Sequence, residues 1–186
     1  ATQKVNHQDG DCSVGYDINP QFSPDGQDVA WLSMKRDGYE SDRNCLCVYS
    51  FADGKKTYVT ENFDSAVETF CWTPNSRNLY FIGVWHACLN VYRTDLSGKV
   101  EKITDDQADY GSIQILGNTG NLIATRHSIS APDDIYLVAP QKKRKNVVTT
   151  RLTKENDHIL SQLSLGKVEK RWVKTTDGKE ELVWII

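Results

Sequence analysis

The fold is decided by a short stretch that the chain repeats. Residues 19–26 read Asn-Pro-Gln-Phe-Ser-Pro-Asp-Gly, and residues 28–33 follow as Asp-Val-Ala-Trp-Leu-Ser. Proline fixes φ at the second position of a tight turn, and aspartate and glycine suit the next two positions. Because apolar strand segments flank this turn, the stretch predicts a β-hairpin.

Two further copies of the hairpin follow. Residues 70–76 and 78–83 repeat it, with Trp72 standing 50 residues after Phe22. A weaker copy covers residues 113–125, with Ile115 standing 43 residues after Trp72. Two more strand-like segments come after each hairpin, at residues 46–51 and 57–60, 89–95 and 100–104, and 134–138 and 147–152. Four short strands in a unit of about 40 to 50 residues are typical of a propeller blade.

The predicted fold class is therefore all-β, a partial β-propeller of about three four-stranded antiparallel blades with a C-terminal β-hairpin. We expect blades at residues 19–63, 64–107 and 108–157, preceded at residues 1–18 by a connection or the remnant of an earlier blade. Residues 158–186 hold the hairpin, and residues 154–163 form one helical turn at most. Since a propeller closes with about four to eight blades, we expect the chain to be part of a longer protein. Its last strand, residues 181–186, is apolar and unfinished, which favours the same reading.

Composition and charge exclude several classes of function. The net charge of −3 over 186 residues argues against nucleic acid or an anionic membrane as a partner. No apolar run approaches the roughly 20 residues of a membrane helix. The four histidines and five cysteines lack metal-ligand spacing, so we expect no metal and no cofactor. The cysteines, Cys45 and Cys47 included, are interpreted as small buried hydrophobic residues.

Three segments carry a family resemblance. The first blade, from Phe22-Ser23-Pro24-Asp25-Gly26 onward, resembles the propeller of bacterial dipeptidyl peptidases and acylaminoacyl peptidases of the prolyl oligopeptidase family. Residues 124–128 (Ala-Thr-Arg-His-Ser) with 132–136 (Pro-Asp-Asp-Ile-Tyr) are similar to that propeller's last blade. Residues 170–178 resemble the hairpin that leads into the family's α/β-hydrolase domain.

The resemblance implies a function for the parent protein. In this family a Ser, Asp and His triad in the hydrolase domain does the catalysis, and the propeller caps that domain and filters peptide substrates by size. This chain has no Gly-x-Ser-x-Gly nucleophile motif, the nearest approach being Gln-Leu-Ser-Leu-Gly at residues 162–166. The chain alone is thus predicted to be non-catalytic, gating peptide access and helping to bind substrate. The family resemblance also implies a periplasmic or secreted protein.

Two other functions remain open at this point. A stand-alone propeller similar to TolB would act as a protein-interaction module. A small propeller enzyme would need paired carboxylates in a central pocket, and the sequence marks no such pair.

Two loops are candidates for substrate binding. Trp85 and His86 interrupt two strands of the second blade, either as a tryptophan that plugs the gap between blades or as a wall of the substrate cavity. Arg126, His127 and Ser128 end a strand of the third blade. The arginine is suited to binding a peptide carboxylate or carbonyl, and the competing interpretation is a local ion pair with Asp133 or Asp134.

The remaining polar clusters predict little. Some family members bind the substrate's amino end with paired propeller glutamates, but Glu180 and Glu181 lie in the exit hairpin, so that role is not carried over. The basic run at residues 142–145 is interpreted as an exposed loop. Uncapped blades leave strand edges exposed, which predicts a homodimer through those edges.

Overall fold

A computed structural model of the chain describes residues 16–36, 41–140 and 147–186. Cys12, the basic run at 142–145 and most of the predicted N-terminal connection lie outside these residues. Within them the chain forms fourteen strands and one short helix. In order these are β1 (Asp17–Phe22), β2 (Asp28–Ser33), β3 (Cys45–Ser50), β4 (Lys56–Tyr58), β5 (Val67–Trp72), β6 (Asn78–Trp85), β7 (Cys88–Asp95), β8 (Val100–Lys102), β9 (Asp109–Ile115), β10 (Leu122–Ser128), β11 (Ala131–Pro140), β12 (Val147–Arg151), α1 (Asp157–Leu160), β13 (Glu169–Lys174) and β14 (Glu180–Ile185).

The strands make three blades and a hairpin. β1 to β4, β5 to β8 and β9 to β12 each form a four-stranded antiparallel sheet in sequence order, and β13 pairs with β14. This confirms the predicted fold class. The single helical turn expected within residues 154–163 is confirmed as α1, while β1 begins at Asp17, inside the predicted N-terminal connection.

The quoted hairpin closes through side chains as well as backbone. The Ser23 hydroxyl accepts from the Asp28 amide at 2.9 Å and donates to the Asp25 carboxylate at 2.7 Å. Gly26 has a φ of +72°, which the turn requires and a side chain would strain. In the second copy, Thr73 donates to the Asn75 side chain at 2.8 Å, so the weaker motif makes the same turn.

A second repeated device ties the last strand of each blade to the third. The hydroxyl of a threonine accepts a hydrogen bond from a backbone amide of that strand: Thr60 from Leu46 at 2.8 Å, Thr104 from Val91 at 2.9 Å and Thr153 from Ile135 at 2.9 Å. An apolar residue precedes each threonine in the sequence, as Val59, Ile103 and Leu152. These contacts establish which positions of the three blades are equivalent.

Two apolar layers join the blades. The layer between the first and second blades includes Leu32, Leu46, Trp72 and Phe81, and the layer between the second and third includes Ile82, Val91 and Leu122. The β6–β7 turn (His86 and Ala87) and the β10–β11 turn (Ile129 and Ser130) each join the second and third strands of a blade. They therefore lie at the same end of the blades. We call this end the distal rim.

Candidate functional site

The β6–β7 turn presents two aromatic rings at the distal rim. His86 and Ala87 have φ values of +53° and +56°, and Trp85 pairs with Cys88 across them, as in a two-residue hairpin turn of type I′. The Trp85 ring stacks on His86 with 4.6 Å between centroids, and 41% of the residue is exposed. The interpretation of Trp85 as a plug between blades is therefore wrong, because the tight turn holds it at the tip, beyond the packed layer.

The same turn contacts the C-terminal hairpin. The His86 ring meets the Trp172 ring edge to face with 5.2 Å between centroids, and Lys170 Nζ lies 3.5 Å from His86 Nδ1. The hairpin of β13 and β14 thus packs against the distal rim. This contact joins positions more than 80 residues apart, so no local sequence pattern announces it.

Arg126 lies between the second and third blades in a cluster with Asp106, Tyr110 and Tyr136, which we call the clasp. Its Nε donates to Asp106 Oδ2 at 3.1 Å, and its guanidinium carbon stands 5.8 Å from the Tyr110 ring centroid and 5.0 Å from that of Tyr136. Tyr110 also donates to Asp106 Oδ2, at 2.7 Å. Burial, and then the bond to this carboxylate, raise the pKa of Tyr110 above its ordinary value, so it remains a neutral donor.

The expected ion pair of Arg126 with Asp133 or Asp134 is wrong, because Arg126 pairs with Asp106, 20 residues before it. The Asp134 carboxylate is taken by Arg151 and by Thr153, whose hydroxyl donates to it at 2.6 Å. Asp106 pairs with Arg126 instead because the connection between β8 and β9 places its carboxylate beside the guanidinium.

Asn90 is a site residue that the sequence reasoning missed. Its Nδ2 donates to the Asp106 carbonyl at 3.3 Å, and its Oδ1 accepts from the Asp106 amide at 3.1 Å. The same Oδ1 accepts from the Thr104 hydroxyl at 2.8 Å, and Asn90 is 1% exposed. Its only sequence signal is an amide side chain at a position of β7 that the strand pattern buries. The clasp of Arg126 thus begins at a buried side chain of the second blade.

His127 stands between two carboxylates at the rim. Its Nδ1 lies 3.1 Å from Asp133 Oδ1 and its Nε2 lies 3.6 Å from Asp109 Oδ2. The other oxygen of Asp109 accepts from the Leu89 amide of the second blade at 2.7 Å. The imidazole and Asp109 therefore connect the β10–β11 turn to the neighbouring blade.

Two clefts flank the β10–β11 turn and share Ser128, Ile129 and Ser130. The wider one has a volume of about 470 Å³ and runs between the turn and the segment around α1; its other lining residues are His127, Ala131, Pro132, Asp133, Leu160 and Leu165. The narrower one, of about 310 Å³, lies between the rim and the C-terminal hairpin; it is lined further by Ala87, Cys88, Gln107, Ala108, Asp109, Val168 and Trp184. Ser128 accepts from the Ser130 amide at 3.3 Å, which fixes the turn that separates them.

The five candidate residues meet these clefts unequally. Ser128 lines both and His127 lines the wider one, whereas Trp85, His86 and Arg126 line neither. A carboxylate, an indole and small hydroxyls around a partly apolar cleft suit a short peptide with a free amine. The narrower cleft, with Asp109 and Trp184, has this composition.

The described residues offer little for metal binding or thiol chemistry. In the described part of the chain, no group of three or more His, Cys, Asp or Glu residues is placed to hold a metal ion. Cys45 and Cys47 are unpaired and buried, as predicted, and burial raises the pKa of Cys47 to about 12. The one helix of the described ranges is also too short to cross a membrane.

Curated relatives of this chain are dipeptidyl peptidases. The chain is 41% identical over 181 residues to dipeptidyl-peptidase 5 of Porphyromonas gingivalis, covering 97% of this chain and 26% of that protein. It is also 41% identical over 174 residues to dipeptidyl-peptidase 5 of Porphyromonas endodontalis, covering 93% and 24%. The resemblance to the prolyl oligopeptidase family is confirmed. The chain spans about a quarter of the length of these relatives. No family model matches it.

Solved structures of peptidases share the fold. The Pyrococcus horikoshii acylaminoacyl peptidase superposes with a TM-score of 0.68 at 19% identity, over 91% of this chain and 24% of that one. The β-propeller domain of the Pyrococcus furiosus Trilobed protease gives 0.56 at 15% identity, over 77% and 40%. TolB of Acinetobacter baumannii gives 0.52 at 16% identity, over 91% and 41%. At these identities the likeness is one of fold alone.

Proposed function

We propose that this chain is a non-catalytic propeller segment of an exported serine peptidase of the dipeptidyl-peptidase type. In this proposal the distal rim borders the route by which peptides reach the catalytic domain, and the clefts beside the β10–β11 turn help to bind them. The observation that carries the proposal is the pair of clefts between the rim and the C-terminal segment.

The packing of the C-terminal hairpin supports this orientation. Trp172 and Lys170 contact His86 of the rim, and Trp184 lines the narrower cleft. If the hairpin leads into a hydrolase domain, as its sequence resemblance implies, that domain follows on from the distal rim. A peptide on its way to the catalytic residues then passes the two turns.

The lining of the narrower cleft favours the amino end of a peptide. Asp109 keeps one oxygen on the Leu89 amide, which leaves the other, 3.6 Å from His127, directed at the rim. A carboxylate held in this way attracts an ammonium group, and the indole of Trp184 offers an apolar surface to the adjoining side chain. The likeness to TolB concerns fold alone and adds no second function.

Peptide binding is tested by titrating the ¹⁵N-labelled chain with an unblocked Ala-Ala-Ala peptide and with its N-acetylated form. We expect amide shifts at Ser128 to Ser130 and at Ala108 for the free peptide, and about tenfold weaker binding of the acetylated one, equivalent to roughly 1.4 kcal/mol. Asp109→Asn keeps an acceptor for the Leu89 amide and should weaken binding similarly. Glu101→Gln removes a charge on β8 and is the matched control. Shifts scattered away from the clefts, or equal binding of both peptides, would refute the binding role.

The parent activity is tested separately. Translation of the gene beyond the codon for Ile186 should show a Gly-x-Ser-x-Gly motif within about 250 residues, the upper end of a usual domain length. A stop codon shortly after Ile186 would contradict the peptidase assignment without bearing on peptide binding.

A further inference from the structure

The narrower cleft at the distal rim has a basic side chain beside it as well as the carboxylate of Asp109. One wall of this cleft is the C-terminal hairpin, whose Trp184 lines it. Lys170 is the register partner of Trp184 across β13 and β14. Because directly paired residues of two antiparallel strands project from the same face of the sheet, the Lys170 side chain lies on the face of the hairpin that borders the cleft.

The contacts of His86 agree with this placement. Lys170 Nζ lies 3.5 Å from His86 Nδ1. Trp172 lies two residues further along β13, hence on the same face as Lys170, and its ring meets the His86 ring edge to face. His86 is followed in the β6–β7 turn by Ala87 and Cys88, which line the rim wall of the cleft. The Lys170 ammonium group therefore stands where the hairpin wall meets the rim wall.

Lys170 and Asp109 act on the cleft with opposite charges. Cys88, which lines the cleft, is affected by both. Burial first, and then the Asp109 carboxylate, raise the pKa of the Cys88 thiol, whereas Lys170 acts in the opposite direction. One side chain of the cleft wall thus lies within range of an acidic group and of a basic group.

No carboxylate of the described residues forms an ion pair with Lys170. Glu169, its neighbour in the sequence, is paired with two other basic side chains, at 3.1 and 3.3 Å. Asp105 is paired with Lys102, and Lys102 first, followed by Lys170, holds the pKa of Asp105 below its ordinary value. Lys170 can therefore donate to the carboxylate of a ligand in a charge-assisted hydrogen bond.

The size of the cleft limits the length of a ligand that uses both charges. Its volume of about 310 Å³ is at the lower end of the range for small-molecule sites, roughly 300–1,000 Å³. An extended residue spans about 3.3–3.6 Å, so the end charges of a dipeptide or tripeptide are about 7–10 Å apart. In a longer peptide with its ammonium group on Asp109, the carboxylate lies outside a cleft of this size.

We propose that the narrower cleft binds unblocked dipeptides and tripeptides by both ends, with the ammonium group on Asp109 and the terminal carboxylate on Lys170. The inference rests on the proposed function, whose site for the amino end it completes with a site for the carboxyl end. Longer peptides bind through the ammonium group alone. Because dipeptides are the products of the proposed type of peptidase, the cleft favours the released product over longer substrates.

Calorimetric titration of the chain with Ala-Ala and with its C-terminal amide tests the role of the carboxylate. The amide keeps the ammonium group and lacks the negative charge. We expect it to bind about fivefold more weakly, which corresponds to the loss of one partly exposed ion pair. In pentaalanine, whose carboxylate does not reach Lys170, amidation should leave the affinity unchanged. An equal effect of amidation on both peptides would overturn the inference, because it would reflect net charge alone.

Substitutions at Lys170 locate the effect. Lys170→Gln should bind Ala-Ala as weakly as the unaltered chain binds the amide. Lys170→Arg, which keeps the charge, should retain the preference for the acid. Lys179→Gln removes a charge from the turn of the same hairpin and is the matched control. Circular dichroism identical to that of the unaltered chain shows that the variants are folded, and a preference for the acid that survives Lys170→Gln contradicts the role of this lysine.

The outcomes separate this inference from the proposed function. If N-acetylation weakens binding and amidation does not, the site for the amino end stands and the site for the carboxyl end is refuted. If neither Ala-Ala nor its amide binds, both proposals fail. If both modifications weaken the binding of Ala-Ala, and only Lys170→Gln removes the effect of amidation, the cleft binds both ends.

Discussion

Replacing Gly83 by alanine should destabilise the chain, although Gly83 lies inside a strand, where alanine is ordinarily more favourable than glycine. A Cβ at Gly83 would lie 2.6 Å from both Cε1 and Cζ of Phe63, against an ordinary contact of about 3.5–4.0 Å. The ring must therefore move by about 1 Å. It is 8% exposed and is held edge to face between Phe81 and Tyr92, at 5.2 and 4.8 Å between centroids.

The expected loss of stability follows from two opposing effects. Forcing a methyl into a packed layer costs about 1–3 kcal/mol. Replacing glycine in a strand returns about 0.5–1 kcal/mol of backbone entropy. Because the clash reaches 2.6 Å, the overpacking cost lies in the upper half of its range, at about 2–3 kcal/mol. Gly83→Ala should therefore lower the free energy of unfolding by about 1–2.5 kcal/mol, and lower Tm by roughly 2–10 °C for a chain of this size.

Urea unfolding followed by tryptophan fluorescence measures the effect, with Gly166→Ala as the control. At Gly166 the nearest atom to a new Cβ is a side-chain methyl of Ile186 at 3.4 Å, so a change within about 0.5 kcal/mol is expected. Phe63→Leu should remove most of the additional cost of Gly83→Ala, because the two substitutions act on one contact. A Gly83→Ala chain as stable as the original would refute the packing argument.

Three further results are expected. Ala87→Gly should stabilise the chain by about 0.5–1 kcal/mol, because it relieves a left-handed residue, while Ala52→Gly in an ordinary turn should destabilise it; opposite signs in thermal unfolding are the check. Thr104→Val should lower the free energy of unfolding in urea by about 1–3 kcal/mol, because the Val91 amide and the Asn90 side chain lose a buried hydrogen-bond partner. An unchanged free energy would show that the threonine hydrogen bonds do not stabilise the blades. Burial raises the pKa of Cys47 and of Cys71 to about 12, so at pH 8 both thiols should resist iodoacetamide in the folded chain and react in urea; rapid labelling of the folded chain would contradict this.

The sequence predicts the blades because their determinants are local. Ser23 and Asp25 close the first turn within six residues, and the copy at Thr73 and Asn75 uses the same hydrogen bonds with a different hydroxyl and carbonyl. The weaker motif makes the same turn because it keeps the two groups that form these hydrogen bonds, a hydroxyl and a side-chain oxygen two residues after it. The strands then need only apolar alternation.

The site could not be predicted as fully because its contacts are long-range. Arg126 has two aspartates within eight residues after it, yet its carboxylate partner is Asp106, 20 residues before it. That choice depends on Asn90, which holds the Asp106 backbone from another blade. The sequence does not predict the position of Trp85 for a related reason. The two left-handed residues after it fix the turn, and neither is a glycine or an asparagine, the residues typical of such a turn.

The repeated threonines show how local and long-range determinants meet at the distal rim. Thr60, Thr104 and Thr153 each stand where a fourth strand ends and the next connection begins. Thr104 also binds Asn90, which holds the backbone of Asp106, the carboxylate that receives Arg126 and Tyr110. One buried hydroxyl therefore fixes both the end of a blade and the clasp behind the rim. A substitution at Thr104 should therefore disturb Arg126 through the three hydrogen bonds that run from Thr104 to Asn90, Asp106 and Arg126. The turn at Ser23 should stay unchanged, because its hydrogen bonds lie within its own hairpin.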